Sequence, residues 1–259
     1  MLIINFFLNN KKEILNRLLI VGFLLLPLFF IFYPLLFQRK IFSSSFIFDG
    51  MYPLFYHYSN ILKCCNYIPT WSSSYLNGIP VILTQGFGFL HPFSIIFFKF
   101  FDYILAYNWL VVISGFLTSF FTYLLARELN LSKPASLIAG VIFLFNGLVI
   151  QWLPLLAFAY FLPIYPLVFL LILKIYRNKN KSQISYWYIS LLILIITIGW
   201  VSAFTEVIFY LVLAVIAFSL FVDFKNFKKN GEAKESFPLL KKFKTTKQLF
   251  VALVISSMF

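Results

Sequence analysis

From Leu18 to Phe37 the chain runs for 20 residues without a charged side chain, and five further apolar runs follow it. Such runs leave little choice of structure. Peptide groups inside hydrocarbon have no water to bond, so a spanning segment must satisfy them internally, as a helix does. About 17–25 apolar residues cross a hydrocarbon core. The whole composition agrees: 62% of residues are hydrophobic and 11% charged, with a mean hydropathy of +0.93; soluble proteins carry about 25% charge. The expected fold is therefore all-α, a multi-pass transmembrane helical bundle occupying residues 1–259.

The charges orient it. A first span from about Ile14 to Phe37 follows Lys11, Lys12 and Arg17, which places the N-terminus in the cytoplasm by the positive-inside rule. No small-residue cleavage site follows, so this is an uncleaved helix and not a signal peptide. A long external segment, residues 38–107, precedes a second span from about Asn108 to Ala126. Pro134 opens a third, outward span, suited to a first helical turn where its missing N–H is not needed. The fourth begins near Leu155 and returns at Lys174, Arg177, Lys179 and Lys181; the fifth and sixth run from about Trp187 to Trp200 and Ala203 to Val222. Residues 223–248 then form a basic cytoplasmic segment. In this arrangement 17 of the 21 Lys and Arg lie inside. The net charge of +13 thus records orientation and attraction to anionic membrane lipids, and its spread over separate loops argues against nucleic acid.

Leu249–Phe259 opens a further apolar stretch of 11 residues, about 16 Å as helix and half a bilayer. We therefore expect the chain to be the amino-terminal portion of a longer protein, or its last segment to lie against the membrane. Cys64 and Cys65 are adjacent, which suggests two thiols and no disulfide framework.

Chemistry concentrates in the external segment. To about Pro80 it is polar and aromatic, reading as short helices on the membrane surface; from Val81 to Leu105 it is apolar but broken by Gly86, Gly88, His91-Pro92, Lys99 and Asp102, and lies at the interface or dips in and returns. Asp49 stands in its first long polar break, where a carboxylate beside a bilayer is costly unless it binds or reacts with something. Tyr52, Tyr56 and Trp71 fit an interfacial aromatic belt, or flat faces for sugar rings and lipid tails. Arg39 and Lys40, against the charge bias, either snorkel to lipid phosphates or sit near a phosphate leaving group. His57 and His91 lie 8 and 42 residues from Asp49, spacings that match no metal-ligand motif.

The order of motifs is informative. Phe48-Asp49-Gly50-Met51-Tyr52-Pro53 is followed by Pro69-Thr70-Trp71, Gly78-Ile79-Pro80 and Phe89-Leu90-His91-Pro92. Then come Arg127-Glu128-Leu129-Asn130-Leu131-Ser132, Phe145-Asn146-Gly147 and, less closely, Gly199-Trp200-Val201-Ser202-Ala203-Phe204-Thr205-Glu206. This series resembles the amino-terminal half of YfhO-like bacterial membrane proteins, of the GT-C class of polyprenyl-phosphate-dependent glycosyltransferases. The last segment departs from the family's Gly-His-Pro-Gln/Glu turn by lacking the His-Pro.

The resemblance implies a GT-C-like fold in the bacterial cytoplasmic (inner) membrane, and a polyprenyl-phosphate-linked sugar donor. It also implies a cell-envelope glycan or lipid acceptor, and transfer with inversion on the outer face. Asp49 matches the family's loop acid, as general base or as ligand of a divalent metal ion; its alternative role is N-cap of an interfacial helix over Tyr52–Leu62. Glu206, a lone ionisable residue in an apolar run, is a second site candidate expected to share a cavity with Asp49, or else a protonated acid bonded to a neighbouring helix. Arg39, Lys40, Tyr52, Tyr56, His57, Trp71 and His91 complete the expected substrate-binding set. Rival readings are a transporter of lipid or envelope precursors, which would call for polar residues within spans and an internal repeat, and a non-catalytic membrane assembly subunit.

Overall fold

A computed structural model describes residues 11–42, 50–72, 78–80, 88–178, 182–202 and 204–229. Asp49 and the apolar stretch after Leu249 lie outside them. All regular elements among these residues are helices: α1 (Lys11–Phe37), α2 (Tyr52–Cys65), α3 (Pro92–Phe100), α4 (Tyr103–Glu128), α5 (Lys133–Leu144), α6 (Gly147–Trp152), α7 (Leu156–Phe161), α8 (Ile164–Arg177), α9 (Ser182–Ser202) and α10 (Thr205–Lys229). Three stretches are long and apolar enough to cross a membrane: Ile14–Phe37, Tyr103–Glu128 and Leu156–Arg177. Lys133–Leu144, Tyr186–Ser202 and Glu206–Val222 are shorter apolar helices.

α4 is the central post. Helix α1 leans on it through Leu24, Leu28, Phe32 and Leu36, buried at intervals of four residues, while Phe23, Leu26 and Phe30 point outward. A single stripe is all that a lipid-facing helix needs to bury, because lipid solvates the rest as well as protein would. Where α4 meets α5 the contact is made by small residues. A side chain on Gly140 would start 2.7 Å from the Ser119 carbonyl oxygen, and one on Gly115 would meet Leu28 at 3.3 Å and Leu144 at 3.4 Å. Close backbone approach of this kind replaces the hydrophobic drive that is missing within a bilayer. Along the same helix Thr118 Oγ1 donates to the Ser114 carbonyl at 2.7 Å and Thr122 Oγ1 to that of Thr118 at 2.8 Å, so these hydroxyls satisfy themselves on their own helix.

The turn after α4 uses left-handed Asn130 (φ 66°) and the Ser132 hydroxyl, which accepts from Ala135 N at 3.4 Å just before Pro134. The proline thus opens a helix as its position predicts. The expected third span, however, is not one continuous helix. α5 ends at Leu144 after 12 residues, and Asn146 then caps α6 by accepting from Val149 N at 2.9 Å while donating to Phe143 O at 2.8 Å. An Asn-Gly step followed by Pro154 and Pro163 favours breaks over one long helix, so the chain crosses this end of the bundle in two short turns, α6 and α7.

Two contacts fix the sense of the helices. Glu128, at the end of α4, pairs with Lys174 (3.1 Å) and Arg177 (2.6 Å), at the end of α8. Tyr176 donates to Ser219 O of α10 at 2.9 Å. The carboxyl-terminal ends of α4 and α8 and the latter part of α10 therefore share one end of the bundle, as the sequence topology requires. Lys174 and Arg177 also complement the negative end of their helix. α9 and α10 pack with α8 in a second core, where a side chain on Gly199 would meet Ile208 at 2.9 Å. The sulfurs of Cys64 and Cys65 are paired with each other, where adjacency in sequence argues for two separate thiols.

Replacing Gly140 with leucine is expected to destabilise the α4–α5 contact by about 1–3 kcal/mol, because the Ser119 carbonyl is backbone and cannot swing away. A lowered thermal unfolding midpoint in detergent checks this; an unchanged midpoint rejects the close approach.

Candidate functional site

The opposite end of the bundle, where α4 begins, carries the polar and aromatic segment. It is organised by one buried amide. Asn108, fully buried in the second turn of α4, donates through Nδ2 to Leu35 O (2.8 Å) and Lys40 O (2.9 Å), and its Oδ1 accepts from the Tyr52 hydroxyl at 3.4 Å. Carbonyls at a helix end have no partner within the helix. Asn108 satisfies one such group, Leu35 O, together with the Lys40 carbonyl beyond the helix where α1 turns over. Lys40 N bonds the Pro34 carbonyl at 3.2 Å around left-handed Arg39 (φ 53°). The Tyr52 hydroxyl in turn accepts from Phe42 N at 3.3 Å. Burial pushes the Tyr52 phenol up to about 12, so it stays a neutral donor.

A second polar knot sits beside it. Gly88 adopts φ 72°, and a side chain there would start 2.5 Å from the Tyr160 ring, so only glycine fits. Ser94, fully buried on α3, donates to Gly88 O at 2.6 Å; its oxygen lies 2.5 Å from the Tyr160 hydroxyl. With the serine proton on Gly88, the tyrosine must be the donor in that pair. Tyr58 donates to Phe89 O at 2.6 Å, and burial raises its phenol far above the usual range. Ser59 donates to Phe98 O at 2.8 Å. Phe55 stacks on Phe98 with centroids 4.7 Å apart. These contacts seat α2 on α3 and on the turn at residues 88–91.

His91 is the N-cap of α3. Its Nδ1 accepts from Phe93 N at 3.2 Å, which assigns the proton of the neutral ring to Nε2. The ring stacks on Tyr160, 3.9 Å away and inclined by 2°. Burial drives its pKa down to about 4.

The sequence candidates divide into two groups. Tyr52 and His91 are buried in the packing just described, so neither ring offers a free face at the surface. Tyr56 and Trp71 are exposed, at 52% and 56%; Tyr56 meets Tyr103 edge-on at 5.1 Å, and Trp71 lies over Gly78 beside the Ser72–Ile79 bridge. His57 is half-buried on α2. Arg39 and Lys40 have exposed side chains at the end of α1. Glu206 is exposed in the first turn of α10, a favourable place for a carboxylate, and has no hydrogen-bond or ion-pair partner among the described residues. The position before α2 that Asp49 was a candidate to cap is occupied by Met51, with no side-chain cap bond. The expected proximity of Asp49 to Glu206 involves a residue outside the described set.

What the geometry does join is the turn at 88–92 and the segment 199–206: a side chain on Gly88 would lie 3.4 Å from Ser202 O, and Phe158 packs on Phe204 at 5.3 Å. Ser202 is buried without a partner for its hydroxyl among the described residues. Among the described residues no group of three or more His, Cys, Asp or Glu side chains is arranged to hold a metal ion. Asn108, Ser94 and Tyr160 were not singled out by sequence reasoning. The signal for Asn108 was available, as an amide within an apolar run; Ser94 and Tyr160 had none, since each draws its role from the other across 66 residues.

Comparison with protein-family models, curated proteins and solved structures finds no match.

Two outcomes follow from this geometry. Asn108→Leu removes the donor to two part-buried carbonyls and the acceptor of the Tyr52 hydroxyl, and should lower stability by about 1–3 kcal/mol, read as a fall in the unfolding midpoint. For His91, the unfolded state takes up a proton near 6.5 and the folded state only near 4, so stability is complete above the first value and falls as pH drops between them. His91→Asn, which replaces the capping ring nitrogen by an amide oxygen and does not titrate, should flatten that acid limb in unfolding midpoints measured across this range.

Proposed function

We propose that this chain is a membrane glycosyltransferase of the GT-C class, moving a sugar from a polyprenyl-phosphate donor to a cell-envelope acceptor on the outer face of a bacterial inner membrane, with its N-terminus in the cytoplasm. The observation that carries the reading is convergence. The motifs that suggest it are scattered from residue 48 to residue 206, yet the helix after Gly50–Pro53, the Phe89–Pro92 turn and the Gly199–Glu206 segment meet at one end of the bundle, through Tyr58, Gly88, Tyr160 and Ser202. A lipid-linked donor needs such a place, at the end of spanning helices, where a polyprenyl chain stays in lipid while its phosphate reaches polar groups.

In this reading Asp49 accepts the proton of the acceptor hydroxyl as its oxygen attacks the anomeric carbon. The bond from that carbon to the phosphate oxygen breaks with its electron pair leaving on the phosphate, and the configuration inverts. Arg39 and Lys40, exposed at the turn that Asn108 ties down, supply positive charge for the leaving group. Glu206 provides a second carboxylate for substrate hydroxyls. If a divalent metal takes part, Asp49 is the residue proposed to hold it.

The transporter alternative has one observation in its favour, the interruption between α5 and α6. Asn146 at that break is, however, already engaged at both ends of its amide, with Val149 and Phe143. This leaves the glycosyltransferase reading ahead.

Transfer from labelled polyprenyl-phosphate sugars, measured in membranes holding the protein, should fall by about 10²–10⁴-fold in Asp49→Asn at equal expression. Robust transfer by the variant would remove Asp49 from the mechanism. Replacing both Arg39 and Lys40 by Gln should weaken donor binding, and unchanged donor affinity would reject their assignment.

A further inference from the structure

We infer that α3 is an interfacial helix whose outward face is immersed in the acyl-chain edge of the bilayer. It has 9 residues and is about 14 Å long, too short to cross a hydrocarbon core. Its two faces differ sharply. Ser94 and Phe98 are fully buried against the Gly88 turn and α2. The other face carries Phe93, Ile96, Phe97 and Phe100, spaced by three and four residues in one stripe without a polar atom; Phe93, Ile96 and Phe100 are 43%, 49% and 71% exposed. A stripe of this kind in water would be an association hazard, whereas at a membrane it is an anchor.

Three observations select lipid as the occupant. First, α3 leads through Phe101 and Asp102 directly into α4, a span-length helix, which puts its last turn at the membrane edge. Second, its one cation is tied down at the edge of the stripe: Lys99 Nζ donates to Asn66 Oδ1 at the end of α2, 2.5 Å away. The same Nζ lies 5.7 Å from the centroid of the Phe100 ring, so the charge is held between that ring and Asn66 at the margin of the stripe. Third, the neighbouring helix differs: α2 exposes Asn60 and Lys63 as well as Tyr56, so α2 presents the more polar side and α3 the apolar side of one packed pair. The inference is independent of the glycosyltransferase reading.

Nitrobenzoxadiazole labels on single cysteines test it, placed by Ile96→Cys, Phe100→Cys and Asn60→Cys in the full chain with Cys64→Ser and Cys65→Ser. The protein is held in nanodiscs of phosphatidylethanolamine and phosphatidylglycerol, with quencher supplied as doxyl-labelled lipid or as aqueous iodide. Labels at 96 and 100 should lose fluorescence to doxyl lipid and resist iodide, and the label at 60 should behave in the opposite way. Iodide quenching at 96 and 100 equal to that at 60 would overturn the proposal in favour of a water-exposed helix. Protection from both quenchers would overturn it in favour of a protein cover. Should Phe100→Cys fail to fold, Ile96→Cys alone decides the same question.

Discussion

A helix that ends leaves its last carbonyl groups without partners inside the helix, and at the end of α1 one buried amide takes up the Leu35 carbonyl and ties the following turn to it. Asn108 bonds Leu35 O and Lys40 O while accepting from Tyr52, so a single side chain joins the end of α1, the start of α2 and the central helix α4. The rest of this end depends on that arrangement. With α1 turned over at Arg39 and α2 seated by Tyr52, the aromatic rings of Phe55, Tyr58 and Phe98 close over one another. The low local dielectric makes such bonds stronger when complete and an omission more costly, which is why one residue carries so much of the junction.

The second organising feature is the knot around Gly88. Its positive φ and missing side chain let Tyr160 lie against the backbone, and Ser94 then links the tyrosine to the turn. Through this contact α7 and the end of α9 are held against α3, so segments far apart in the chain share one surface. The stacked His91 ring is neutral there, because a charged imidazolium would have to leave water for an aromatic and apolar setting. A neutral ring fixed in one tautomer is a structural element at ordinary pH, and this shifts weight from His91 as a substrate ligand to His91 as a cap.

Much of the architecture was legible in the residues themselves. Three of the six expected spans, the first, second and fourth, become stretches of membrane-crossing length near their expected bounds, the fourth as α7 and α8 in succession. The sixth is shorter among the described residues. Pro134 opens α5, and the basic residues at Lys174 and Arg177 close α8. Those features are local: apolar length, a proline at a first turn and charge at a last turn each act within one helix. The interruption at Asn146 was the exception, because an amide that caps locally outweighs the apolar character of its flanks.

The sequence by itself determined that the chain is helical, that several of its helices are apolar over membrane-crossing lengths, and where its charges fall. These follow from the energy of peptide groups and charges in hydrocarbon, which depends on composition along the chain. Only the tertiary structure decided that Tyr52 and His91 turn inward while Tyr56 and Trp71 stay exposed, that Glu128 clamps Lys174 and Arg177, and that Ser94 meets Tyr160. Each of these depends on which side of a short helix meets a distant partner, and periodicity carries little of that information where nearly every residue is apolar and aromatic.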